Sequence, residues 1–469
     1  MTGHKPQAAV ELALQAARCD DCIVIADEAA TANLRWAGNT LTTNGVSRSR
    51  QLTVIAISRS GDEASVGVVS RAGVRDEHIP ALVAEAEQAA SEGSAVEDAA
   101  PLAGRDDPLA AKPGEPGWDA APTDTEIGVF AGFAQALGQA FESAAAGGRK
   151  LYGFAEHTVT SSFLGTSTGL RLRHDQPAGR LELNAKSADM TRSAWSGVGT
   201  KDFADVDVAA MEAGLSERLG WAERSVDLPA GRYETLLPPG AVADLLVYLY
   251  WSAGAKDAVD GRTVFSKPGG GTRVGDQLAN LPLTLRSDPA ERGLECSPFV
   301  LAHASSRDSS VFDNGLALGP TEWISAGRLA ALTQTRHTAT LSGLPVTPAI
   351  GNLILDCDGS TGTLPEMIAS TERGLLLTCL WYIREVDPQT LLLTGLTRDG
   401  VYLVEHGEVT AAVNNFRFNE SPVGMLDRIT EAGATVPTLP REWSDYFTRA
   451  AMPPVRVDGF NMSSVSQAL

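Results

Sequence analysis

Tyr233-Glu-Thr-Leu-Leu-Pro-Pro239 opens the stretch that decides how this chain is put together. The run from Tyr233 to Leu237 suits a strand, and the proline pair ends it. Proline has no N–H for a ladder and pushes the residue before it out of the helical region. An apolar helix follows from Ala241 to about Ala255, and Gly261-Arg-Thr-Val-Phe-Ser266 closes the unit.

On the N-terminal side, residues 1–100 read as an α+β module. A helix from Pro6 to Ala17 leads into a strand at Cys22 to Ala26 and a short one at Leu34 to Ala37. Leu52 to Ser58 and Ser65 to Ser70 flank Ser60-Gly-Asp-Glu63 as a hairpin. Ala- and Glu-rich residues from Glu77 to Glu92 read as a surface helix. Over 101–123, Pro101, Pro108, Pro113, Pro116 and Pro122 prevent regular structure and predict a linker. A second module, 124–226, has helices at Thr125 to Ala145 and Ala204 to Leu219, with strands at Leu151 to Val159, Gly169 to His174 and Leu181 to Ala185. From 227 to 469, short β-rich segments predominate, with helices only near Ala241 to Ala255, Leu364 to Thr371 and Pro422 to Ala432. The expected fold class is α+β: two N-terminal α+β modules followed by a larger β-rich C-terminal domain with a few helices.

The 469 residues leave room for several cores, and 43% hydrophobic with 20% charged residues is the balance of an ordinary soluble protein. Lys and Arg number 38 against 58 Asp and Glu, a net charge of −20. With no basic cluster as a local exception, nucleic acid is not expected as a partner. Met1 to Ala17 lacks the charged-then-apolar layout of an export signal, and Leu375 to Ile383 is about half of what spans a bilayer. A cytoplasmic location without a membrane partner is therefore expected.

Motifs for local chemistry are incomplete. His4, His78, His157, His174, His303, His337 and His406 include no pair at the close spacing a local metal motif needs. Five scattered cysteines give no disulfide framework, and Cys19-Asp-Asp-Cys22 lacks the second pair that would complete a zinc site. Gly165-Thr-Ser-Thr-Gly169 matches the spacing of a hydrolase nucleophile elbow. The elbow must run into a helix, however, whereas Leu170-Arg-Leu-Arg-His174 alternates as a strand, so a hairpin turn is expected. Lys267-Pro-Gly-Gly-Gly-Thr272 lacks the Gly-Lys-Ser/Thr ending of a phosphate loop. Arg384, Asp387, Arg398 and Asp399 read as ion pairs at turns.

The opening stretch resembles the C-terminal domain of the TldD/PmbA (TldE) family. The likeness continues in family order through Phe312-Asp-Asn-Gly-Leu316, Trp323-Ile-Ser-Ala-Gly-Arg-Leu329, Asn352-Leu-Ile-Leu355, Leu364-Pro-Glu-Met-Ile368, Gly374-Leu-Leu-Leu-Thr378, Gly400 to Val409 and Asn414-Asn-Phe-Arg-Phe418. Each motif is weak alone; their order over roughly 200 residues is what persuades. Leu34-Arg-Trp-Ala-Gly38 and the hairpin after it are similar to the family's start.

This resemblance implies a two-component zinc peptidase. Its catalytic members carry His-Glu-x-x-x-His on the helix, with a cysteine near the C-terminus resembling the third ligand. Such a zinc takes three protein ligands, leaves a position for water, and needs a nearby carboxylate as base. Aligned on Val264-Phe-Ser266, the histidines fall near Leu246 and Trp251 and the glutamate near Val247. No histidine lies between His174 and His303, and the last cysteine is Cys379. The resemblance thus implies no catalytic residue, metal ligand or cofactor in this chain, with zinc expected in a TldD-type partner. It implies a non-catalytic PmbA/TldE-like subunit of a heterodimer that acts on a peptide substrate, in leader-peptide trimming and proteolysis of small unfolded proteins. When the chain is alone, its oligomeric state stays open, a homodimer being one alternative. Asn414, Asn415, Arg417 and Asn419 are the candidates for a peptide- or partner-facing wall, where a peptide could add as a strand to a sheet edge. Two alternatives stay open: a metallopeptidase with an atypical zinc site drawing on His303 and His337, and a peptide-binding scaffold without a peptidase partner.

Overall fold

Cys22-Ile-Val-Ile-Ala26 and Val54-Ile-Ala-Ile57 are apolar at every residue, which suits a strand buried on both faces. The computed structural model describes residues 5–398 and 400–466, leaving His4 and Asp399 outside, and it buries both faces. Cys22, Val24, Ala26, Val54 and Ala56 pack under the helices Pro6–Ala16 and Ile79–Glu92. Ile23, Ile25, Ile55 and Ile57 point the other way, onto Phe299, Val311 and Phe312 from the C-terminal half. One sheet therefore supplies two cores.

That sheet has six strands in the order Glu63–Ala72, Leu41–Ser60, Asp21–Ala37, Arg149–Thr166, Arg171–Ser187 and Ser193–Thr200, with every neighbouring pair antiparallel. The two N-terminal α+β modules are its two halves, joined from Ile23 opposite Thr166 to Ala37 opposite Tyr152. The strands outrun their sequence pattern. Cys22 to Ala26 and Leu34 to Ala37, expected as separate strands, are parts of one 17-residue strand. Its middle, Asp27-Glu-Ala-Ala30, has weak β propensity, and ladders on both sides override it. Strands end at Thr166 and resume at Arg171, so Gly165-Thr-Ser-Thr-Gly169 is a hairpin turn with a strand after it.

Residues 101–123 contain no helix or strand. They are nonetheless tied into the seam between the sheet and the C-terminal half. Ala111 N–H donates to the Gly315 carbonyl (2.8 Å), Ala317 N–H to the Leu109 carbonyl (2.9 Å), and Arg173 Nη2 to the Ala121 carbonyl (2.7 Å).

The C-terminal half holds a six-stranded and a ten-stranded sheet. Gly231–Leu237 lies inside the larger sheet, antiparallel to Val455–Val465 and parallel to Arg373–Leu377. The helix that follows, Pro239–Trp251, packs into a core built from both sheets, including Leu285 and Trp323 of one and Leu375, Phe416 and Val455 of the other. The helix expected from Pro422 to Ala432 stops at Leu426. Ile429–Ala432 instead forms a strand against Val455–Val465, because pairing there satisfies backbone that a longer helix would leave off the sheet.

Gly67 marks how closely the Ile79–Glu92 helix sits on the sheet. A Cβ there would lie 2.1 Å from the Ala86 carbonyl oxygen and 2.4 Å from the Ala90 nitrogen. Gly67→Ala is expected to displace the helix and to destabilise the protein by about 1–3 kcal/mol or more, measured by denaturant unfolding.

Candidate functional site

Proline at the start of Pro239–Trp251 costs the helix no hydrogen bond, since its first N–H groups have no intrahelical partner. Ala241, Val242, Ala243, Leu245, Leu246, Val247, Leu249 and Tyr250 are all buried, so the helix is apolar around its whole circumference. Leu246 and Val247 are 0% exposed. Trp251, in the last turn, is 40% exposed and stacks edge-on against Trp443 (5.3 Å) and Phe447 (6.2 Å). Hydrocarbon at 246 and 247 and an indole at 251 present no ligands, so these positions do not fit a zinc ion. Among the described residues, no three His, Cys, Asp or Glu side chains gather as a metal-holding set.

The helix's one charged residue is Asp244, 1% exposed. Its carboxylate accepts the Glu442 N–H (2.9 Å), and its backbone carbonyl accepts the Trp443 indole N–H (2.7 Å). Burial pushes the Asp244 acid well above the ordinary carboxylate range, and the backbone N–H of Glu442 offsets only part of this. A polar cluster that reaches the surface surrounds that contact. The Glu442 carboxylate accepts Tyr382 N–H (3.1 Å), Ile383 N–H (3.1 Å) and Arg384 Nη1 (3.3 Å). The Arg441 guanidinium lies 3.2 Å from the ring centre of Trp381 and 5.1 Å from that of Trp195, whose indole N–H donates to Glu182 (2.9 Å). Ser444 also donates to Glu182 (3.3 Å), and Arg180 pairs with Asp445. Residues 441–445 thus join the helix to the N-terminal sheet. In the sequence, the one signal for this cluster is a lone Asp within an apolar helix; the aromatic and acidic partners come from distant segments.

The four wall candidates lie close together, and each has a partner within the fold. Asn414 Oδ1 accepts Leu228 N–H (2.6 Å), and Asn415 Oδ1 accepts Thr397 Oγ1–H (3.4 Å). Asn419 Oδ1 accepts Thr394 Oγ1–H (2.8 Å), and Arg417 Nη1 donates to the same hydroxyl (3.2 Å). Arg417 is the exposed member of the group.

His303 binds Asp27 (Nε2 to Oδ2, 2.7 Å), and Ser162 donates to the other oxygen of that carboxylate (2.5 Å). The aspartate stands between hydroxyl and imidazole, whereas nucleophilic catalysis needs the imidazole next to the hydroxyl. His337 belongs to the separate short helix Arg336–Ser342.

Three cavities open between the N-terminal sheet and the C-terminal half, with volumes of ≈ 140, ≈ 400 and ≈ 260 Å³. Arg449 lines all three. Sequence reasoning missed it, because nothing in Phe447-Thr-Arg-Ala450 sets this arginine apart.

Sheets, apolar helix and terminal strand together define the C-terminal fold of a metallopeptidase class. Residues 230–464 match the family described as the PmbA/TldA metallopeptidase C-terminal domain, and the chain belongs to this PmbA/TldD family. Its fold is that of TldE from Thermococcus kodakarensis, with a TM-score of 0.76 at 14% identity over 97% of this chain and 99% of that one. It is similarly close to a proposed modulator of DNA gyrase from Bacteroides thetaiotaomicron (TM-score 0.76, 14% identity, 98% of each chain). Another such protein, from Thermotoga maritima, has a TM-score of 0.71 and 16% identity over 94% of this chain and 95% of that one. Among curated proteins there is no match in sequence. No helix in the described residues is long and apolar enough to cross a membrane.

Two outcomes test this description. Leu246→Ala should cost about 2–5 kcal/mol in denaturant unfolding, the range for truncating a buried leucine. Asp244→Asn keeps an oxygen acceptor for Glu442 and removes the ionisable group. At low pH, Asp244 is neutral in both the folded and the unfolded chain. As pH rises through about 4, the unfolded chain ionises first and gains free energy, so stability falls until the folded-state acid also ionises. The difference in unfolding free energy should therefore shift in favour of Asp244→Asn between pH 4 and 7 and stay flat below. A pH-independent difference would mean that Asp244 ionises normally in the fold.

Proposed function

We propose that this chain is the non-catalytic, PmbA/TldE-type subunit of a two-component metallopeptidase. On this reading, a TldD-type partner supplies zinc, base and ligands, and this chain supplies a wall of the chamber in which peptides are processed and small unfolded proteins degraded. The observation that carries the reading is the replacement of the zinc motif by Leu246, Val247 and Trp251, two buried in a closed core and one capped by Trp443. A family peptidase without donors at those positions needs them from another chain.

The surface beside the helix end supports a docking role. Trp251 (40% exposed), Tyr382 (54%) and Tyr446 (79%) lie around the Arg441 to Tyr446 segment, and aromatic side chains of this kind anchor protein interfaces. The proposed occupant is the catalytic subunit. Its zinc is the Lewis acid of the reaction; this chain's residues orient the peptide and exclude water around it.

The test is metal content and peptide cleavage for this chain alone, for a TldD-type subunit alone, and for the mixture. Cleavage confined to samples containing the TldD-type subunit, with zinc bound to that subunit, is expected. Stoichiometric zinc and cleavage from this chain alone would overturn the proposal. Replacing Tyr446, 79% exposed, by serine should weaken co-purification by about tenfold or more, the scale of a lost interface anchor, while thermal melting of the isolated chain stays near that of the parent.

A further inference from the structure

Arg449 follows the segment that closes over the helix, and its side chain turns into the seam between the sheet and the C-terminal half. Its Nε–H donates to the Gly351 carbonyl (3.0 Å), and no further partner is found among the described residues. Gly351 leaves room for it, since a Cβ there would come within 3.3 Å of Arg449 Nη2. The residue is half-buried, and loss of hydration lowers the guanidinium pKa, with the Cys296 thiol acting the other way. Its two terminal nitrogens are left open to the cavities that the residue lines, with donors available to a ligand that enters.

Neighbouring acids do not take up these donors. Asp175 pairs with Arg173 (2.8 Å), Asp313 with Arg336 (2.7 Å) and Glu295 with Lys201 (3.6 Å). Asp308 lines the ≈ 400 Å³ cavity; burial raises its pKa, and the charge of Arg307 opposes this. We infer that this cavity is a binding site for a peptide with a free C-terminal carboxylate, which Arg449 holds through its two terminal nitrogens.

Three features select that ligand. A planar guanidinium with both Nη groups available matches the two oxygens of a carboxylate. A dianionic phosphate would face a single unpaired cation, an acid in the same cavity and a protein of net charge −20, and is disfavoured. The cavity walls are apolar at Phe299, Val300, Leu301 and Leu318, so they can take the side chain beside a terminus. That the carboxylate belongs to a peptide rests on the proposed function; that the site takes a carboxylate does not.

The isolated full chain is titrated with N-acetyl-dialanine, with its C-terminal amide and with inorganic phosphate, followed by calorimetry or NMR. The free acid should bind saturably at millimolar concentration or below, and the amide more than about tenfold weaker, the scale of lost charge-assisted hydrogen bonds. Phosphate should not compete, and Arg449→Gln should abolish the preference for the acid. Equal binding of acid and amide, no binding of the acid at 10 mM on the order-of-magnitude scale of weak ligands, or displacement by equimolar phosphate would each overturn the inference. Should Arg449→Gln fail to fold, the acid–amide comparison on the parent chain decides alone. No partner subunit enters this assay, so its failure is separate from failure of the two-subunit reading, which co-purification and zinc content report.

Discussion

Burial of the Pro239–Trp251 helix on every side is the constraint from which the rest of the C-terminal half follows. A half-exposed helix can carry donors on its outer stripe, whereas one with Leu245, Leu246, Val247 and Leu249 all fully or almost fully buried requires hydrocarbon all round it. Each such side chain contributes about 1.5–3 kcal/mol on leaving water, so the surrounding layers are held firmly. Two sheets provide most of that enclosure. Trp443 and Phe447 close the rest, over the last turn of the helix. On the proposed reading, that enclosure takes the place of a metal site.

The single charged residue of this helix contributes to how the two halves of the molecule are joined. Asp244 is tolerated because Glu442 N–H meets its carboxylate and burial favours its neutral form. The same contact fixes residues 441–445, whose side chains reach Glu182 and Arg180 on the Arg171–Ser187 strand. Arg449 follows a few residues later in the same segment. Its position is thus set by contacts that do not involve its own charge, which is how a guanidinium can be held at the seam with one hydrogen bond. Hydrophobic burial in one core therefore positions a polar group in another place, the usual relation between scaffold and site.

Legibility in the sequence followed the range of the interactions. The Ser60 to Glu63 turn and the strand–proline–helix order at 233–251 depend on neighbouring residues, and both read correctly. The 17-residue strand through Asp27-Glu-Ala-Ala30 did not, because its conformation comes from two ladders more than local preference can reveal. The same holds for Ile429–Ala432, taken out of a helix by Val455–Val465. At the candidate site, the apolar character of Leu246, Val247 and Trp251 is legible directly from the sequence. The Asp244, Glu442, Arg441 and Trp381 cluster is not, since it joins residues up to about two hundred positions apart that share no local pattern. Asn414, Asn415 and Asn419 are conspicuous in the sequence, and only the structure shows the partners their side chains have within the fold.

Trp251 stands where these arguments meet. Its position in the helix is one that the resemblance assigns to a metal-binding histidine, yet it lies at the boundary where the closed core reaches the surface. One edge of the indole packs on Trp443 and Phe447, and 40% of the residue remains exposed. A residue selected only to fill the core could be smaller and fully enclosed. A large aromatic left half out of the core extends apolar surface outward beside Tyr382 and Tyr446, and covering it removes more apolar area from water than covering a histidine would. On the proposed reading, the side chain that takes the place of a ligand therefore still faces the reaction chamber, through contact with the subunit that contains the metal.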